Sequence, residues 1–358
     1  MVMGKPLVIR DLIAEIPVIQ GGMGVGVSLS GLAGNVAKCG GVGIISTAQI
    51  GYQEQGFAEH PIETNLKAIG THIRRAKEIS GGGIVGVNIM AATRKYGEYV
   101  KAAVAAGADL VISGAGLPTE LPALAGESGT KIAPIVSSAK SASVICRLWD
   151  RKFHRCPDLL VIEGPKAGGH LGFSREELER LDGEAYEEEI KSILALVRQY
   201  SEKYQYHIPV VIAGGIYGGD EMRHALGLGA DGVQAATRFV TTFECDASEA
   251  YKQAYLAAKK EDIQIVKSPV GMPGRAIRNE FIRRAEEGAL DSHWKCYQCL
   301  EKCSQKDIPY CITDALINAV KGNLDHGLIF CGADAWRAEK MEHVSEIMEE
   351  FRKEFAKI

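Results

Sequence analysis

One histidine stands apart from the other eight in this chain because of what precedes it. His170 closes the run Glu163-Gly164-Pro165-Lys166-Ala167-Gly168-Gly169-His170. An imidazole at the end of so flexible an approach can exchange protons near neutral pH. Two other stretches have the chemistry of an anion cradle. Gly214 and Gly215 let the backbone come close to an anion, and Gln234-Ala235-Ala236-Thr237 ends in a hydroxyl able to donate a hydrogen bond. Four thiols, Cys296, Cys299, Cys303 and Cys311, are spaced C-x2-C-x3-C-x7-C. Such a group can wrap one [4Fe–4S] cube or one tetrahedral zinc, and unligated redox-sensing thiols are the third reading. Trp294, Tyr297 and Tyr310 beside them read as packing residues.

Positioning these groups falls to eight short apolar runs, at 16–20, 42–46, 84–88, 110–113, 132–137, 159–163, 209–213 and 232–237. Near-continuous apolar runs mark strands buried on both faces, as in parallel sheets. Helical stretches intervene at 31–38, 63–79, 96–106, 139–151, 184–204 and 219–228, and a short proline-bearing crossover at 118–125 predicts a stunted helix. Eight strand–helix units predict an α/β fold closed into a (β/α)8 TIM barrel over 1–260. The rival is an open doubly wound sheet, but no GxGxxG follows the first run, Gly24-Val25-Gly26 being only a glycine-rich loop. A C-terminal extension, 261–358, carries the cysteines and a predicted amphipathic helix over 333–355. Its apolar positions Trp336, Met341, Val344, Ile347, Met348 and Phe351 predict docking on the barrel or a homodimer contact.

Barrel active sites form where strands end, and phosphates often sit between the last two loops. The unusual residues fall at those ends: Gln20, Gly21, Gly22 and Met23 after the first run, Asn88 at the third, Glu163 to His170 at the sixth, Gly214 and Gly215 at the seventh, and Gln234 to Thr237 at the eighth. A small-molecule substrate is expected there.

Bulk properties narrow the class. The 358 residues are 46% hydrophobic and 24% charged, the balance of a globular protein with a large core. With a net charge of −4 and no basic run, nucleic acid is not an expected partner. No apolar stretch approaches the roughly 18 residues of a membrane span, and the N-terminus lacks the pattern of an export signal. The expectation is a cytoplasmic protein with reduced thiols.

The motifs together resemble the nitronate monooxygenase (2-nitropropane dioxygenase) family, which includes flavin-dependent enoyl-acyl-carrier-protein reductases and NADH:quinone reductases. The matching pieces are PVIQGGM (17–23), GVNIM (86–90), AGGHLG (167–172), IAGGI (212–216), GADGVQAATRF (229–239) and SPVGMPGRAIRNEF (268–281). The resemblance implies FMN with its phosphate at Gly214, Gly215 and Gln234–Thr237, and with Gln20–Met23, Asn88, Glu163 and Gly168 along the ribityl chain and ring. His170 would then be the acid/base: it would take the α-proton of a nitroalkane, or supply a proton to a reduced enoyl substrate. Three positions depart from the family: Ala236-Thr237 for Gly-Thr, Glu163 where glutamine is common, and Lys166 where an acid is common. The cysteine segment resembles that of iron–sulfur 2,4-dienoyl-CoA reductases and tilts the reading toward a reductase. The leading expectation is oxidation of alkyl nitronates. The rivals are an NAD(P)H-dependent enoyl-thioester or quinone reductase, and a redox-sensing protein. A barrel of the inosine-monophosphate dehydrogenase type would need a cysteine after the sixth run, and Cys156 precedes it.

Overall fold

The computed structural model describes residues 5–181, 183–290, 295–304, 306 and 308–357. Eight parallel strands close into a barrel: β1 (Val18–Gln20), β2 (Val42–Ser46), β3 (Ile84–Met90), β4 (Leu110–Gly114), β5 (Lys131–Val136), β6 (Leu160–Glu163), β7 (Val210–Ala213) and β8 (Gly232–Ala235). Closure is made by β8 on β1, with Val233 opposite Val18 and Ala235 opposite Gln20. Around it run α1 (Ser30–Lys38), α2 (Pro61–Ser80), α3 (Tyr96–Ala105), α4 (Leu121–Ala125), α5 (Ala139–Phe153), α6 (Gly183–Tyr204), α7 (Gly219–Gly227) and α8 (Glu249–Ala257). The stunted crossover is α4, five residues long with a proline in its first turn.

Local chemistry sets the ends of these elements. Ser138 caps α5 by accepting from the Ser141 N–H, and His154 closes it in the left-handed region at φ 50°. Pro61 opens α2 and Gly81, at φ 63°, ends it. Gly43 is dictated by packing: a Cβ there would lie 1.8 Å from the Ala33 carbonyl, so α1 rests directly on β2.

The strands read as continuous apolar runs because both faces are buried, yet alternate residues go to different cores. Ile19, Ile44, Ile112, Val161 and Val211 fill the lumen, whereas Val18, Ile45, Val111, Ile162 and Val233 pack outward against the helices. An N-terminal hairpin, Leu7–Ile9 with Leu12–Ala14, closes the bottom of the barrel by inserting Leu7, Ile9 and Ala14 into the lumen core. The apolar runs gave no sign of it.

Two features of the extension differ from expectation. The helix expected over 333–355 starts only at Val344. Before it, 335–337 form one 3-10 turn, and Glu342 bridges to Thr242. The His343 N–H donates to the Glu346 carboxylate at 2.7 Å, which fixes this start. Its buried residues Val344, Ile347, Met348 and Phe351 pack into the main core of the same chain. The second difference is a sheet of Ile263–Lys267, Pro273–Ile277 and Gly169–His170, which joins the extension to the loop after β6. Among the described residues, no helix is long and apolar enough to cross a membrane.

Candidate active site

Strand parity decides which side chains look into the mouth. Inward positions on β3, β6 and β8 include Asn88, Glu163 and Gln234 near the C-terminal end of each strand. The same parity turns Gln20 outward. It is fully buried, and its carboxamide is spent on the backbone of β2: Nε2 donates to the Ile44 carbonyl at 3.2 Å, and Oε1 accepts from the Ile44 N–H at 3.2 Å. Its side chain ties β1 to β2 instead of facing a ligand. Gln20, Gly21, Gly22 and Met23 follow one another from the end of β1 into its loop. The Met23 N–H itself donates to the Ser28 hydroxyl at 2.8 Å.

The loops that follow lock together through glycines. A Cβ on Gly22 would lie 2.5 Å from that of Asn88, and one on Gly21 would lie 3.2 Å from the Gln234 side chain. Gly214 abuts the β6 loop: its Cβ would meet the Gly164 carbonyl at 2.7 Å and the Ala167 nitrogen at 3.1 Å. Gly214 and Gly215 have φ of 88° and 89°, conformations that favour glycine. Among the described residues, neither of their N–H groups has a hydrogen-bond acceptor outside the strand ladder, nor does that of Ala236. Thr237 Oγ1 accepts from the Gly332 N–H at 2.9 Å, which leaves the hydroxyl proton free to donate. Gly168 lets the segment 331–332 pass, since a Cβ there would sit 2.6 Å from the Cys331 carbonyl carbon. Free N–H groups and a hydroxyl proton at the ends of β7 and β8 suit an oxygen-rich anion such as the FMN phosphate, so the residues present fit that group.

His170 is held from the extension. Its Nε2 lies 2.7 Å from Ser268 Oγ, and its ring meets the edge of Phe330 at 5.0 Å. Gly274 pairs with it across the small sheet, and the Arg275 guanidinium donates to the Ala167 carbonyl. The Ser268 hydroxyl is buried and its other contact is a Val270 N–H at 3.4 Å, so its proton has one acceptor among the described residues, Nε2. Nε2 is therefore assigned as acceptor and Nδ1 as the protonated nitrogen. Burial lowers the imidazole pKa to about 4, so the ring is neutral through the neutral range. Burial raises Glu163 to about 7, with no protein partner for its carboxyl among the described residues. Ser268 and Phe330 were absent from the sequence reading. Only the SPVGMPGRAIRNEF match hinted at the first.

The cysteines sit elsewhere on the rim. Cys296 is exposed, Cys299 and Cys303 are half-buried, and Cys311 is buried. Among the described residues, no three His, Cys, Asp or Glu side chains are arranged to hold a metal ion. Trp294 lies outside the described residues. A cavity of about 670 Å³ opens at the opposite end of the barrel beside Arg10, Lys131, Arg155 and Tyr206. Its cations are already paired with Asp11 and Asp158, which makes it a braced base and not the reaction centre.

Similarity to known proteins agrees with this geometry. A 27% identical dehydrogenase of Mycobacterium tuberculosis acts, by its name, on a hydroxy-methyl-oxo-octahydroindene-carboxyl-CoA; the match takes in 77% of this chain and 66% of that protein. A probable nitronate monooxygenase of Staphylococcus saprophyticus is 37% identical over 130 residues, 36% of this chain and 34% of that protein. FabK from Thermotoga maritima superposes with a TM-score of 0.71 at 26% identity, covering 96% of this chain and 94% of that one. A nitroalkane oxidase from Streptomyces ansochromogenes, at 21% identity and TM-score 0.68, shares the fold. The model of the nitronate monooxygenase family matches residues 6–354, and the chain belongs to that family, whose members are in general FMN-dependent.

Proposed function

We propose that this chain is an FMN-dependent oxidoreductase that turns over a small molecule at the mouth of the barrel, with His170 handling the proton. The observation that carries this reading is the placement of His170 beside Gly168 on the loop that also packs against Gly214. Gly214, Gly215, Ala236 and Thr237 would hold the phosphate, and Asn88, Glu163 and Gln234 would face the ribityl chain and ring. Bound FMN would supply hydride or single-electron transfer. The protein contributes orientation, exclusion of water and proton movement. A neutral His170 presents Nδ1–H to a substrate. It would act as a base at Nδ1 only in the other neutral tautomer, with its single proton on Nε2 donating to the Ser268 hydroxyl and Nδ1 bare.

Membership of the family supports alkyl nitronates as the oxidised substrate. One set of observations favours a second reading, reduction of an enoyl thioester with NAD(P)H as the electron donor. The relative that matches 77% of this chain is named for a CoA ester, and Lys166, exposed and without an acidic partner among the described residues, lays its stem across Gly215 at the mouth. A cation there suits an acyl carrier that bears phosphate. Purified protein is first checked for bound flavin by its visible spectrum. It is then offered an alkyl nitronate in air, and an enoyl-CoA with NADH or NADPH without air. Turnover of the nitronate alone supports the first reading and of the thioester alone the second. Protein that binds no flavin and turns over neither overturns both.

A further inference from the structure

The phosphate cradle proposed above consists of backbone N–H groups and one hydroxyl, none of which carries net charge. A phosphate monoester carries a charge of about −1.5 to −2 at pH 7. Holding it among packed loops calls for a cation nearby. Two arginines around these loops are already committed: Arg238 is paired with Glu342 and Glu350, and Arg337 with Glu221.

Arg275 is different. Its side chain is half-buried, and among the described residues its guanidinium bonds the Ala167 carbonyl and forms no ion pair with a carboxylate. Asp334 acts on it only from a distance, and burial outweighs that effect. A guanidinium keeps its charge under such conditions. Holding it without a counter-ion costs free energy that an arriving anion recovers.

Two routes tie this guanidinium to the cradle. Ala167, whose carbonyl it holds, has its nitrogen 3.1 Å from the Cβ position of Gly214. On the other side the Cys331 N–H donates to the Arg275 carbonyl at 3.0 Å, and the next residue, Gly332, donates to Thr237 Oγ1 at 2.9 Å. Gly168 lies between, its Cβ position 2.6 Å from the Cys331 carbonyl carbon and 2.7 Å from the Gly332 nitrogen. The pairing of Arg275 opposite Gly169 fixes this placement. An uncommitted cation therefore stands directly behind the loops of both β7 and β8. We propose that Arg275 is the countercharge for the flavin phosphate and makes the chain select FMN over phosphate-free flavin, an inference that rests on the FMN reading above. The extension then serves the site twice, through Ser268 at His170 and through Arg275 at the phosphate.

The test compares FMN with riboflavin, which differs from it by the phosphate alone. The full chain is freed of flavin, and binding of each is read by flavin fluorescence. Arg275→Met should weaken FMN by roughly 10-fold or more, the worth of one partly shielded charge, and leave riboflavin within about 2-fold. Arg275→Lys, which keeps the charge, should recover most of the loss. Arg278→Met removes an equal charge from a side chain paired with Glu286, and should move neither affinity. Equal weakening of both flavins in Arg275→Met makes the residue a structural brace and overturns the proposal, as does unchanged FMN affinity. If Arg275→Met does not fold, the unaltered chain still decides, since equal affinity for the two flavins leaves no phosphate for Arg275 to serve. An unaltered chain that binds FMN while Arg275→Met binds it equally well defeats this inference alone. One that binds no flavin defeats the FMN reading with it.

Discussion

The Ser268 hydroxyl lies 2.7 Å from Nε2 of His170, although 98 residues of chain separate them. This contact holds the orientation of the ring and ties its tautomer to the Ser268 hydroxyl. Ser268→Ala should therefore slow turnover by about 2- to 10-fold, the worth of one hydrogen bond. His170→Ala should cost about 100- to 10,000-fold. Nitrogen NMR of the imidazole reads the tautomer directly. Unchanged ring shifts in Ser268→Ala would remove the positioning role.

Two half-buried groups give opposite pH dependences. Burial raises Glu163 from 4.5 to about 7, so the folded carboxyl keeps a proton that the unfolded chain has lost, and stability falls as pH rises across that window. Glu163→Gln should match the parent below pH 4.5 and exceed it by on the order of 3 kcal/mol above pH 7. His170 is lowered from 6.5 to about 4, so its contribution is lost as pH falls through that range. His170→Asn should flatten that acid limb. Urea midpoints of flavin-free protein at pH 4.5, 6 and 8 check both signs.

Gly168 is a matter of clearance, since its φ is not in the left-handed region. Gly168→Ala would push against the backbone of 331–332 and disturb the Gly332 N–H bond to Thr237. We expect about 1–3 kcal/mol of destabilisation and weaker FMN retention, read by flavin fluorescence on dilution. Gly183→Ala, with nothing within 4 Å of the added methyl, is the control and should change neither.

Arg238, 7% exposed, ties the residue after Thr237 to the C-terminal segment through Glu342 and, at 3.2 Å, Glu350. Removing one partner of a buried pair leaves the other uncompensated. Arg238→Ala should cost about 3–5 kcal/mol in denaturant unfolding and loosen the loop after β8. A loss below about 1 kcal/mol would mean that the pair behaves as an exposed one.

Much of the fold was written locally. Runs such as LVIS and PVVIA are buried on both faces wherever they fall, and eight of them alternating with helical stretches leave few ways to close. The glycines at the end of β7 were legible too, because few other residues serve where backbone must turn sharply at a strand end. Parity along β1 also places the Gln20 side chain against the backbone of β2. What the chain alone could not give was the far side of the site. Ser268 meets His170 only because a strand of the extension pairs with Gly169–His170, and hydrogen bonds between residues 98 apart leave no periodicity to read. The same holds for the bond from Gly332 to Thr237 and for the late start of the last helix. Spacing along a sequence records local geometry, whereas the partner of a buried donor is set by whichever segment folds back to cover it.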